Sequence, residues 1–207
     1  MTPGIGRLAG AAVAVAVGLL VLWQAGILFT SDDGGGLNLQ PANASIETPA
    51  VEGFEIGLRP GDLAPNFEFS SLEGDRLVLS DFRGRPVLVN FWATWCQPCR
   101  TEMPAIDEAI RRYSADNVAV LAINKGEGAD RAVDWLADLG LNFTAFGYDP
   151  ESAVYDRYYD RGLAGLPVSF FIDGRGVITE VVYGPLRESD LDFSLEKTIE
   201  GYEAPGD

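Results

Sequence analysis

Histidine is absent from all 207 residues. That removes Ser-His-Asp and Cys-His catalysis, His-ligated metal and c-type haem attachment to this chain. Cysteine is nearly absent as well, with Cys96 and Cys99 the two present. Two thiols cannot close a four-cysteine zinc site or staple a disulfide-rich scaffold. Positive charge is scarce, 15 Lys and Arg against 31 Asp and Glu, for a formal net charge of −16. The balance argues against a nucleic-acid partner, which needs a basic face, and against docking on anionic lipid through a polybasic patch. No internal repeat is visible. What is present is ordinary for a globular protein, 47% hydrophobic and 22% charged residues, which excludes wholesale disorder. The chemistry is therefore expected in the cysteine pair or in carboxylates, with no metal, flavin or nucleotide cofactor.

One long apolar run stands out. Leu8 to Phe29 carries no charge and one strongly polar residue, Gln24. At about 1.5 Å per residue it can span a hydrocarbon core ~30 Å thick. Arg7 precedes it, Asp32 and Asp33 follow it, and the next basic residue is Arg59. The positive-inside rule then predicts a cytoplasmic N-terminus and an outward-facing remainder. The run ends in GILFTSDD rather than a small-residue cleavage pattern, so an uncleaved anchor is expected, with a cleaved signal peptide as the alternative. Either way the soluble part faces an oxidising compartment. The expected organisation is a stub and anchor over 1–29, a flexible acidic linker with Gly and Pro over 30–57, a folded domain over 58–202 and a tail over 203–207.

Within the domain, strand and helix signals alternate. Phe67–Leu72 and Arg76–Leu79 flank a Glu-Gly-Asp turn and predict a hairpin. Val87–Phe91 is a buried-type strand, a helix is expected from Cys96 to about Tyr113, and Val118–Asn124 is a second apolar strand. Ala129–Leu139 has helical spacing and closes at Gly140. A short strand over Asn142–Phe146, a helix over Ser152–Tyr158, a hairpin of Ser169–Ile172 with Val177–Val182, and a helix from Glu188 to Tyr202 complete the reading. This order implies an α/β fold, a mixed sheet with helices on both faces.

Trp95-Cys96-Gln97-Pro98-Cys99 follows a strand and opens a helix. The first Cys then sits where unpaired N–H groups and the helix dipole favour a thiolate, the attacking species in disulfide exchange. The second lies one turn in and can resolve the mixed disulfide. Pro98 suits the first helical turn. A structural staple between residues three apart would constrain the unfolded chain little.

The stretch Phe91-Trp92-Ala93-Thr94-Trp95-Cys96-Gln97-Pro98-Cys99-Arg100 resembles the active-site motif of the thioredoxin superfamily. Pro104 matches that family's helix-kinking proline, and Gly165-Leu166-Pro167-Val168 looks like its cis-proline loop. The resemblance implies that this loop lies against the cysteines and pairs with a substrate peptide. It makes Pro167 and Leu166 substrate-loop residues, and Trp95, Gln97 and Pro98 the rim. Asn90 stands where thioredoxin has a buried Asp, and Glu102 lies three residues after Cys99. With the helix-strand-helix unit over 125–165 and the apolar N-terminal run, the chain is similar to the TlpA/ResA/DsbE-type thiol–disulfide oxidoreductases.

What that resemblance implies is an extracytoplasmic enzyme with Cys96 as nucleophile, Cys99 as resolving thiol and Glu102 as proton carrier. The implied partners are protein thiols and disulfides, including apocytochrome c, and a transmembrane thiol electron donor. Two other readings stand beside it. A thiol peroxidase fits the Thr94-x-Cys96 spacing but lacks an evident Pro and Arg for a peroxide pocket. A non-catalytic anchored binding module would not need an intact pair.

Overall fold

The computed structural model describes residues 41–71, 74–141, 143–159 and 165–201. The run at 8–29, read above as an anchor, and the tail at 203–207 lie outside them. Among the described residues no helix is long and apolar enough to cross a membrane.

An N-terminal hairpin pairs β1 (Glu68–Ser70) with β2 (Arg76–Val78), and a 3-10 turn follows at Leu79–Phe82. The main elements are β3 (Val87–Trp92), α1 (Gln97–Arg112), β4 (Ala119–Lys125), α2 (Ala129–Leu139), β5 (Ala145–Asp149), α3 (Ala153–Arg157), β6 (Val168–Ile172), β7 (Ile178–Tyr183) and α4 (Glu188–Glu200). The five-stranded sheet has the order β5-β4-β3-β6-β7. β3, β4 and β5 run parallel, while β6 and β7 are antiparallel to their neighbours. This is the thioredoxin-fold arrangement that the sequence resemblance implied, with α2, β5 and α3 inserted between β4 and β6.

Alternation along β3 sorts the core. Val87, Val89 and Phe91 face the hairpin, Phe82, Tyr155 and Tyr158. Leu88 faces Ile106 and Ala109 of α1 and Leu191 and Leu195 of α4, and Trp92 packs with Met103, Ala132 and Leu136. The period of two thus makes β3 apolar on both sides, as a strand covered by helices on each face must be. Asn90, alternating with Leu88 and Trp92, is carried beneath α1. Phe91 holds the opposite layer through edge contacts to Tyr155 and Phe170 at 5.7 and 6.2 Å, each aromatic pair contributing about 0.5–1.5 kcal/mol.

The linker expected over 30–57 needs correction at its C-terminal part, because residues 41–57 lie on the domain. Ala42 is buried and its N–H donates to the Tyr148 carbonyl at 2.8 Å. Asn43 pairs with Glu68. The Asn66 N–H donates to Thr48 Oγ1 and its Nδ2 to the Glu47 carbonyl, at 2.8 and 2.9 Å. Arg157 reaches the carbonyls of Ala44 and Ile46. Polar composition hid this strap because it is held by backbone groups, which carry no compositional signal. A protein shortened to begin at Leu58 leaves buried Asn66 without those partners, at about 1–3 kcal/mol per unsatisfied group. We expect it to unfold at clearly lower denaturant concentration than one beginning at Pro41, which should match the full chain. Coincident unfolding curves would contradict the strap's role.

Candidate active site

β3 ends at Trp92, and the chain turns through Ala93, Thr94 and Trp95 into α1. The Cys96 N–H donates to the Ala93 carbonyl at 3.1 Å and closes the turn. Cys96 is the N-cap of α1 with extended backbone, and Pro98 occupies the first turn. Helical geometry brings the Cα atoms of Cys96 and Cys99 to 5.3 Å, and the two form a disulfide. The Cys99 backbone N–H points at Cys96 Sγ, 3.2 Å away. On reduction that N–H and the helix N-terminus favour negative charge on Cys96 rather than Cys99.

Cys96 is less open than its position at the helix start suggests. It is 4% exposed and Cys99 is fully buried. The reason is packing: both lie in a cluster with Trp92, Ala93 and Met103, against which Leu166 and Trp135 pack. Cys96 is still the more accessible sulfur-bearing residue. Trp95 is 67% exposed beside it, and Gln97 and Pro98 are exposed too, forming an apolar and polar rim at the mouth.

The Leu166–Pro167 peptide is cis. Pro167 is buried, Leu166 half-buried and Gly165 exposed. Leu166 packs against the cluster holding the cysteines, and the Pro167 carbonyl accepts from the Gly184 N–H at 3.0 Å. The loop is therefore brought to the disulfide by β6 and braced by the segment leaving β7.

Glu102 is 1% exposed on the face of α1 that also buries Cys99 and Met103. Its Oε1 accepts from Asn90 Nδ2 at 2.8 Å and its Oε2 from the Leu186 N–H at 2.7 Å. Burial raises its pKa to about 7, against the opposing pull of the hydrogen bonds from Leu186 and Asn90. Asn90 Nδ2 also donates to Ser169 Oγ at 3.0 Å. Among the described residues the Asn90 Oδ1 has no hydrogen-bond partner. Because amide oxygen and nitrogen exchange places on a flip, Asn90 can donate to the carboxylate or accept from the carboxylic acid. A titrating acid is thus housed where both charge states have a partner.

Sequence reasoning missed Glu127. It lies just past β4, and its Oε2 and Oε1 accept from the Thr94 N–H and hydroxyl at 2.7 and 2.6 Å. Asn124 Nδ2 adds a third bond at 2.9 Å, and Arg131 lies at 3.8 Å. Burial alone would raise this carboxyl, but the bonds from Thr94 and Asn124 and the Arg131 charge hold it below the usual range. An ionised Glu127 therefore clamps the turn that presents Cys96. The available signal was topological: Asn124 registers with Trp92, and loops at the C-terminal ends of parallel strands build sites.

A family model described as the AhpC/TSA family matches residues 60–181. The chain belongs to the AhpC/TSA family. Within that thioredoxin-like family it is similar to the thiol-disulfide oxidoreductase ResA of Geobacillus thermodenitrificans, 36% identical over 136 residues, 66% of this chain and 76% of the relative. It is 32% identical to the thioredoxin-like protein YneN of Bacillus subtilis over 182 residues, 86% of this chain and 99% of that one. A crystal structure of a thiol:disulfide interchange protein from Chlorobium tepidum superposes with a TM-score of 0.60 at 26% identity, covering 68% of this chain and 97% of that one. The family member described here is a thiol–disulfide oxidoreductase of the ResA type, with its cysteine pair at 96 and 99.

Proposed function

We propose that the chain is a membrane-tethered, outward-facing reductant of protein disulfides, with apocytochrome c cysteines as substrate and a membrane-embedded thiol carrier as electron source. The observation that carries the reductant reading is the buried Glu102 on the helix face it shares with Cys99. Negative charge there opposes thiolate formation, so the reduced pair gains less stabilisation and the couple is more reducing. The tether is supported by the apolar run at 8–29, and the substrate by the resemblance of the Cys96–Arg100 motif, Glu102 and Pro167 to oxidoreductases of this type.

The exchange balances with two electrons and two protons. The Cys96 thiolate attacks one sulfur of the substrate disulfide and releases the other as a thiol. Cys99, once deprotonated, attacks Cys96 Sγ, releasing the second substrate thiol and reforming the disulfide. Glu102 supplies the proton for the first leaving sulfur, takes the Cys99 proton and passes it to the second leaving sulfur, and is then reprotonated from solvent, which took up the Cys96 proton when that thiol ionised. The peroxidase reading is disfavoured because the Thr94 hydroxyl donates to Glu127 at 2.6 Å rather than being directed at Cys96.

The test uses the reduced full chain in liposomes with an oxidised peptide bearing Cys-x-x-Cys-His, compared with insulin. Reduction of the peptide at least about tenfold faster than insulin, matching the discrimination that one or two specific contacts supply, supports the reading. Equal rates on both overturn the substrate assignment, and hydrogen peroxide turnover would revive the peroxidase.

A further inference from the structure

The Tyr155 hydroxyl donates to the Gly165 carbonyl oxygen at 3.1 Å. We propose that Tyr155 is a positioning residue for substrate, holding the Gly165–Leu166 peptide so that the Leu166 N–H faces an incoming extended peptide. The proposal rests on the disulfide-exchange reading above and adds to it a residue that selects peptide substrates over small disulfides.

Tyr155 is suited to the task because it is fixed from several sides. Its N–H donates to Asp149 Oδ2, at the end of β5, at 2.8 Å. Its ring meets Phe91 of β3 edge-on, at 5.7 Å between centroids, and packs on Tyr159. The Lys125 Nζ, at the end of β4, lies 4.0 Å from the ring centroid. Three strands of the sheet therefore set where the hydroxyl points. Burial pushes the Tyr155 hydroxyl above its ordinary pKa, so it stays a proton donor.

The residue it holds needs holding. Gly165 is exposed with φ +145, backbone that side-chain-bearing residues rarely adopt and that glycine leaves entropically loose. In a planar trans peptide the C=O and N–H point in opposite directions. Anchoring the Gly165 oxygen on Tyr155 therefore turns the Leu166 N–H away from α3. Pro167 has no N–H to offer, and its carbonyl is engaged by Gly184. Strand-like pairing with a substrate backbone must then run through Leu166, whose side chain packs on the cysteine cluster. A peptide disulfide can use that N–H, and an aromatic small-molecule disulfide without a backbone cannot.

The test is Tyr155→Phe in the full chain in detergent, which keeps the ring and removes the donor. We expect the KM for an oxidised Cys-x-x-Cys peptide to rise about three- to tenfold, the scale of one hydrogen bond. We expect kcat and the rate on a small aromatic disulfide to stay unchanged. The Leu166 amide order parameter should fall from a rigid ~0.85 toward ~0.6. An unchanged peptide KM overturns the proposal, as does a parallel loss on the small disulfide. If the wild-type chain exchanged no disulfide at all, the functional reading would fail by itself. The order parameter would still decide the proposal, since an unchanged value removes Tyr155's hold on the loop.

Discussion

Cys96→Ser abolishes disulfide exchange, while Cys99→Ser leaves a single attack that stalls as a mixed disulfide on Cys96. The asymmetry follows from the start of α1. Cys96 is the N-cap, receives the Cys99 N–H at 3.2 Å and keeps the residual exposure of the pair, whereas Cys99 is fully buried one turn behind it. Thiolate character and access together choose the attacking sulfur. The checks are turnover of a peptide disulfide and mass spectrometry of the stalled adduct. Alkylation of the reduced chain at limiting reagent should label Cys96 first. Labelling of Cys99 first would reverse the two roles.

Glu102→Gln carries the next largest effect. Proton transfer by a positioned acid typically contributes ~10²-fold or more, so exchange should slow by about that factor. The variant should also lose the inflection near pH 7 that the buried carboxyl imposes. Below that inflection the wild-type acid is protonated and can serve a leaving sulfur. Above it, the carboxylate can accept a proton and raises the pKa of neighbouring thiols, which Gln no longer does. Thiol pKa values should therefore drop in the variant. Stability gives an independent reading. Because the folded pKa is raised from 4.5 to about 7, the native chain keeps a proton that the unfolded chain has released between those values. Stability falls as pH rises through that window, by an amount on the order of 3 kcal/mol. The Gln variant should show a flatter profile. Overlay of its pH–rate and pH–stability curves on those of the wild type would reduce Glu102 to a structural residue.

The fold was legible wherever periodicity was strong. The all-buried β3 announced itself as an apolar run broken by Asn90 alone, and α2 begins and ends at Ala129 and Leu139, where spacing and Gly140 had set it. The cysteines and Pro167 were legible because their chemistry is local to short motifs. Glu127 was not, because its meaning depends on the register that brings Asn124 alongside Trp92. The link from Asn90 to Glu102 was half legible. Each residue stood out, but their bond crosses from the sheet to α1, and no spacing within one element encodes it. The low exposure of Cys96 likewise comes from a cluster that gathers residues distant in sequence, with Leu166 and Trp135 packed against it. Tyr155 fell within the helix expected over Ser152–Tyr158. Its ring packs against Phe91 in the core, while its hydroxyl belongs to the loop ten residues on.

The strap over residues 41–57 also bears on how copies of this chain meet one another. β5 is an outermost strand of the sheet, and an open edge is a template for pairing with a second chain. Ala42 donates to the Tyr148 carbonyl on that edge, and Asn43 joins the same segment to β1, so the chain covers its own edge. The opposite border is treated similarly, since Gly61 and the Asp62 carbonyl bond to Ile178 at the start of β7. Detachment of the strap would cost more than local order. It would expose strand backbone beside Phe146 and Tyr148, turning a self-covered sheet edge into a seed for strand exchange between copies.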